Sequence, residues 1–300
     1  MTAVTGPLGR AIAAVRPRRT EGRGRGNIIL NIVVLGLMAL WLLPTIGLLV
    51  NSLRPGADFA RSGWWTALVP PWSFTLENYE YVLTRQGLGE AFINSLIITI
   101  PSATMPILIA AFAAYAFSWM EFPGRNVLFV VVVALLVIPL QSTLIPVLRL
   151  LRDVGIAGSF LAVWLAHTAY GLPFAIYLLR NYMGGLPREV FESAAIDGAS
   201  PATAFFRLAL PMSVPVIASL AIFQFVFVWN DLLVALIYIG ATNPENQPLT
   251  LKVSQLVQST GAGLQYLPAA AFITMILPVI VFVGLQRYFV RGITGGAVKG

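Results

Sequence analysis

Long stretches without a charged residue constrain this 300-residue chain more than any other feature. Crossing about 30 Å of hydrocarbon takes roughly 20 helical residues. Six stretches qualify: residues 28–53, 91–120, 126–148, 154–179, 211–238 (interrupted only by Asp231) and 267–286 within the apolar region 253–286. Composition agrees. Charged residues make up 10 % of the chain, where soluble domains carry about 25 %. Hydrophobic residues make up 58 % and the mean hydropathy is +0.82, more apolar surface than one water-soluble core can hide. The expectation is an all-α integral membrane protein of six transmembrane helices.

Basic residues set the expected orientation. With the N-terminus in the cytoplasm, the inner side receives Arg10, Arg16, Arg18, Arg19, Arg23, Arg25, Arg125, Arg180, Arg188, Arg207, Arg287, Arg291 and Lys299. The outer side receives Arg54, Arg61, Arg85, Arg149, Arg152 and Lys252. This 13-to-6 split follows the positive-inside rule, and six spans return the C-terminus to the cytoplasm. The net charge of +7 therefore reads as topology and lipid attraction, with no nucleic-acid partner, because the aromatics sit inside spans and do not alternate with the arginines. Residues 1–27 read as a basic tail before an uncleaved first span, whose apolar run exceeds a signal h-region and is followed by no small-residue cleavage site. The loop after that span carries Trp64, Trp65, Trp72, Tyr79 and Tyr81, which suit a membrane surface or an external partner.

Several chemistries are absent from the sequence. There is no cysteine, which excludes disulfides, thiolate metal sites and cysteine nucleophiles, and a single histidine, His167, leaves little room for a metal centre. No G-x-x-x-x-G-K-[ST], H-E-x-x-H or G-x-S-x-G occurs, so neither nucleotide binding nor hydrolysis is expected of the chain, and no cofactor. His167 and Asp231 are the ionisable groups expected within spans. An ion-driven carrier usually needs a longer relay. Prolines 101, 106, 139, 146, 173 and 278 are expected to kink or break their helices.

The loop at residues 185–211 is the most informative segment. Pro187 suits the first turn of a helix, Asp197-Gly198 a stop, and Ser200-Pro201 an N-cap with an N1 proline that starts a second helix. Small residues Ser193, Ala194 and Ala195 let the first helix sit deep in a groove on a partner, while Glu189, Glu192 and Asp197 offer it carboxylates. Physics alone leaves open an amphipathic helix lying on the membrane. The spacing of Glu192-Ser193-Ala194, Asp197-Gly198 and Leu208-Ala209-Leu210-Pro211 resembles the coupling loop of ABC importer permeases, departing at Ser193 for alanine and at Leu208 for isoleucine. Thr75-Leu-Glu-Asn-Tyr79, Asn94-Ser-Leu96, Trp229-Asn-Asp231 and the tail from Gln286 to Gly300 resemble the smaller permease of maltose-type carbohydrate importers, in particular α-glucoside importers.

The resemblance implies the type I importer permease fold, a multi-pass protein of the bacterial cell membrane. It divides the chain into the basic tail 1–27, a permease domain 28–291 and a cytoplasmic tail 292–300. It implies Glu192, Ser193, Ala194, Asp197, Gly198, Ala199 and Pro211 as the ATPase-coupling element. A second permease, two ATPase subunits that hold ATP and magnesium, and an extracytoplasmic sugar-binding protein are the implied partners. In the fifth span Gln224, Phe227 and Asp231 share one helical face with Asn230 one position off it, offering amides, a carboxylate and an aromatic face to a sugar; a structural role for Asn230 and Asp231 is the alternative. His167 is expected to be a packed, neutral hydrogen-bonding group. Rival readings are an ABC permease for a non-sugar solute such as a polyamine, which the scarcity of acids in the spans disfavours, an ion-driven secondary transporter, and a membrane-embedded enzyme, for which no catalytic cluster is found.

Overall fold

The computed structural model describes residues 25–240, 243–256 and 263–297, with side chains from residue 28 to 286. The basic tail, apart from its last residues, and the final three residues of the C-terminal tail lie outside them. All regular structure in the described residues is helical. Helix α1 (Arg25–Ser52) is apolar on every face, and almost all its side chains are exposed, Trp41 at 81 %. A helix with no polar stripe has no place for a water-facing side, as expected of a membrane span.

From Leu49 onward the chain forms one compact unit. Its first part is a frame of short helices, α2 (Gly56–Arg61) and α3 (Glu77–Glu80), joined by irregular chain. Arg54, only 2 % exposed, ties this frame together. Its guanidinium donates to Asn51 Oδ1 (3.0 Å), the Asp58 carbonyl (2.8 Å), and the Ser62 carbonyl (3.0 Å) and hydroxyl (2.6 Å). Buried Asn78 donates to the carbonyls of Ser52 and Arg54, and the Tyr79 hydroxyl to Ser52 Oγ.

Two long helices, α4 (Leu88–Trp119) and α7 (Phe160–Met183), form the most extensive packing pair. Ala110, Ala111 and Ala114 of α4 and Ala162, Ala166 and Ala175 of α7 are buried. Small side chains let membrane helices approach closely, and dispersion then accumulates along the contact. Gly171 of α7 is such a position, because a Cβ there would run into the amide of Gln224. Pro101 and Pro106 lie inside α4 and Pro173 inside α7 without ending either helix. The expected fourth span starts later than read, at Phe160, because Ser159 caps it by accepting the Ala162 N–H (3.3 Å).

Two expected spans are corrected. The third is not one straight helix: α5 (Arg125–Ala134) passes through a tight turn at Leu135–Val137 and resumes as α6 (Leu140–Asp153), bent by 102°. Pro139 stands at the break, where it lacks an N–H and forces Ile138 out of the helical region. The fifth is also interrupted. After α8 (Arg188–Ile196), α9 (Pro201–Ala204) continues through Phe205–Ala209 into α10 (Leu210–Met212), then bends by 70° into α11 (Val214–Trp229). Helix α11 stops at Trp229, and α12 (Leu233–Tyr238) starts anew. Helices α13 (Leu249–Ser254) and α14 (Leu267–Ala297) complete the unit. Among the described residues, four stretches are thus long and apolar enough to cross a membrane singly, and the count reaches six if each bent pair is one span. Helix α14 runs past residue 286, where the sixth span was expected to end.

Asp231 explains the second interruption. Its Oδ2 accepts the N–H groups of Val234 (3.0 Å) and Ala235 (3.2 Å), capping α12, and its own carbonyl accepts the Thr250 hydroxyl (2.6 Å). Asp231→Ala should cost about 1 kcal/mol and speed amide exchange at Val234 and Ala235, whereas Asp231→Asn, which also caps, should retain most protection; hydrogen-exchange mass spectrometry measures both. Arg54→Met should lower stability by about 1–3 kcal/mol, since it strips donors from carbonyls inside the frame, and should open residues 55–76 to limited proteolysis.

Candidate functional site

The 185–211 loop folds as its residues suggest. Helix α8 follows Pro187 and closes with the Asp197 N–H bonded to the Ser193 carbonyl (3.0 Å), that of Gly198 to Ala195 (3.0 Å) and that of Ala199 to Ala194 (2.9 Å). Gly198 has φ +80°, the left-handed conformation that ends helices and favours glycine. Ser200 Oγ accepts the Thr203 N–H (3.2 Å) above Pro201 at the start of α9. Two aromatic anchors hold the hairpin against the helices above it. Phe191 is buried and stacks on Trp119 of α4 at 3.8 Å between centroids. Phe205 is buried, stacked on Phe112 and edge-on to Tyr115, both of α4. Burying a phenylalanine contributes about 1.5–3 kcal/mol, so the loop is fixed at both halves.

The opposite face of the hairpin is free. Glu192, Ser193, Asp197 and Gly198 are exposed, Ala194 and Ala199 half-buried, and Ile196 is 87 % exposed. Pro211 is also exposed but lies apart, at the bend that leads into α11. The Ser193 hydroxyl, the departure from alanine, is turned back onto the Glu189 carbonyl (2.8 Å) and adds no donor to that face. Beside it opens a cleft of about 600 Å³ bounded by Glu192, Ala195 and Ala199 of the loop and by Trp119, Glu121 and Arg125. Ile196 therefore shares one exposed face with the carboxylates of Glu192 and Asp197 and the Gly198 turn.

The residues expected along a sugar path separate into two sets. Gln224 is buried, lodged against Gly171 with its amide 3.5 Å from the Ser102 carbonyl, and so bridges α11, α7 and α4. Asp231 is the α12 cap, with its side chain 12 % exposed and Oδ2 3.7 Å from Nε2 of buried His167. His167 and Asp231 share a void of about 10 Å³ with Ser95 and Thr99, room for one water. Phe227 and Asn230 differ: Phe227 is 47 % exposed, and exposed Asn230 borders an open hollow of about 410 Å³ together with Thr250, Ser254 and Thr274. Sequence reading missed those three hydroxyl residues, since no spacing links α13 and α14 to Asn230.

The shorter motifs prove to be ties between segments. The Asn94 amide donates to the carbonyls of Glu245 (2.6 Å) and Gln247 (3.2 Å), and Ser95 Oγ accepts the Leu249 N–H (2.8 Å), fixing the connection before α13. The Trp229 indole donates to the Thr274 carbonyl of α14 (2.9 Å) between the rings of Phe92 and Phe225. Within the Thr75–Tyr79 motif, Thr75 bonds back to Leu53 (2.7 Å), while Asn78 and Tyr79 hold Ser52. The side chains of the tail motif beyond Gln286 lie outside the described residues.

Comparison with known proteins agrees with this geometry. Residues 106–295 match the family described as binding-protein-dependent transport system inner membrane component. The chain is 56 % identical over 273 residues to the osmoprotective compounds uptake permease protein GgtD of Synechocystis sp., covering 90 % of this chain and 91 % of that one. It is 54 % identical over 257 residues to the alpha-glucoside transport system permease protein AglG of Rhizobium meliloti, covering 84 % and 67 %. Its fold matches that of a bacterial ABC transporter involved in the import of the acidic polysaccharide alginate, with a TM-score of 0.72 at 21 % identity over 91 % of this chain and 100 % of that one. The chain therefore belongs to the inner membrane components of binding-protein-dependent transport systems, as a multi-pass permease subunit of an ABC importer that leaves ATP hydrolysis to other subunits.

Proposed function

We propose that this permease carries an α-glucoside, of the maltose or trehalose class, across the bacterial cytoplasmic membrane. An extracytoplasmic binding protein delivers the sugar, a second permease completes the pathway, and two ATPase subunits drive it. The termini lie in the cytoplasm, on the side favoured by the 13-to-6 split of basic residues. The ATPase engages Glu192, Ser193, Ala194, Asp197, Gly198 and Ala199, with Pro211 setting the bend behind them. The observation that carries this coupling role is the hairpin itself, pinned by Phe191 and Phe205 on one face and presenting Ile196 and the carboxylates on the other. Closure of the ATPase dimer moves such a hairpin as a rigid piece and biases the permease between inward- and outward-open states.

For the substrate, a relative named for alpha-glucosides, at 54 % identity, supports a sugar, and one at 56 % identity is named for osmoprotective compounds. The second name favours one further reading, a small neutral osmolyte. Phe227 and Asn230 are the path residues that remain accessible, an aromatic face and an amide suited to a sugar ring. Gln224 and Asp231 serve the path by holding its walls. Ile196→Asp and Glu192→Ala alter exposed side chains, so the permease should still fold and pair while recovery of the ATPase subunit in mild detergent falls at least about tenfold, a loss of 1.4 kcal/mol. Undiminished ATPase recovery with both changes would remove the loop from the coupling role. In proteoliposomes holding the full complex, labelled maltose or trehalose should enter on ATP addition, and Asn230→Ala should raise KM severalfold with ATPase recovery intact. Uptake of a neutral osmolyte with no competition from either disaccharide would decide for the second reading.

A further inference from the structure

Residues 62–76, between α2 and α3, contain no charge, although Arg61 and Glu77 bracket them. Fifteen uncharged residues in a connecting loop are ordinary only when something other than water covers them. Their large apolar side chains point outward: Trp65 is 61 % exposed, Leu68 56 %, Val69 63 %, Trp72 67 %, Phe74 52 % and Leu76 69 %. The segment is nevertheless held in place. Ser73 donates to Asp58 Oδ2 (2.8 Å), the Thr75 N–H to the Leu53 carbonyl (2.7 Å), and Ser62 receives Arg54. An apolar surface kept outward by a buried arginine is a fixed platform.

We propose that this platform is an interfacial anchor, lying in the lipid headgroup layer at the end of the permease opposite the 185–211 loop. Its place in the chain fixes its depth. Helix α1 ends at Ser52 and α4 begins at Leu88, and both are long and apolar enough to cross the bilayer, so the segment leaves and re-enters at a membrane boundary. The tryptophans point the same way. Trp119, Trp164 and Trp229 each donate their indole N–H to a backbone carbonyl, of Met183, Ile97 and Thr274. Among the described residues, the Trp65 and Trp72 indoles have no such partner. A tryptophan with a bare apolar body and an unspent N–H is the side chain that settles at the headgroup level, ring in the acyl boundary and donor toward lipid carbonyl or phosphate. A lipid surface is favoured over a docked protein because the patch lies where the chain leaves and re-enters the bilayer, and because its two most outward tryptophans pair an exposed ring with an unspent N–H.

The chain has no cysteine, so single cysteines can be placed without further change. Leu68→Cys and Phe74→Cys, at exposed positions, would be labelled with a nitroxide in the complete transporter in nanodiscs containing anionic lipid. Glu77→Cys and Glu80→Cys, at exposed acidic positions, serve as water-facing controls, and the unsubstituted complex as the baseline. The anchor predicts collision with oxygen several-fold above that with a water-soluble nickel chelate at 68 and 74, and the reverse at 77. Nickel accessibility at 68 and 74 equal to the controls would overturn it. So would low accessibility to both reagents, and so would immobilisation of the label that arises only on adding the binding protein, which would make the platform a protein-docking surface.

Discussion

A backbone N–H or C=O released from a helix inside a bilayer has no water to turn to, and leaving it unpaired costs several kcal/mol. Two of the irregularities among the described residues are organised around that constraint. Where the fifth span stops at Trp229, Asp231 accepts the first free N–H groups of α12 and Thr250 covers the Asp231 carbonyl. Where the connection between α12 and α13 passes Gly240, the Gln247 amide takes its carbonyl (3.0 Å), and Asn94 takes those of Glu245 and Gln247. Outside regular helix, polar side chains act as substitutes for the missing turns. Asn94 and Gln247 hold carbonyls of the connection before α13 in this way.

The same constraint accounts for what could be read from the sequence. Apolar length located the spans, since nothing else in a bilayer can be so long and so uncharged, and the caps at Ser200 and Gly198 were legible because their chemistry is local. The bends were less so. Pro139 breaks its helix while Pro101, Pro106 and Pro173 do not, and the difference lies in whether neighbouring helices satisfy the freed groups, which no single segment records. Asp231 illustrates a second limit. Helical spacing set it on a face with Gln224 and Phe227, yet a carboxylate that can cap ends the helix it was counted on. Gln224, in turn, is buried because Gly171 on another helix leaves room for it.

Motifs that carried the family resemblance turn out to be tertiary hydrogen bonds. Trp229 reaches α14, Asn94 and Ser95 reach the chain before α13, and Asn78 reaches the end of α1. Each is a donor or acceptor with a fixed partner far along the chain. Such pairs tolerate few substitutions, because the partner carbonyl stays behind in an apolar setting when the donor is removed. The 185–211 hairpin follows a different logic: its inner aromatics are stacked on α4, and most of its outer side chains are exposed.

The two aromatic anchors of that hairpin end on the same element. Phe191 rests on Trp119 and Phe205 on Phe112, both of α4. Helix α4 runs unbroken for 32 residues, roughly 48 Å, and at its far end Leu88 joins Val82, from the turn after α3, in one buried cluster. Both halves of the hairpin therefore bear on one continuous helix, so a displacement of either half would be felt along α4.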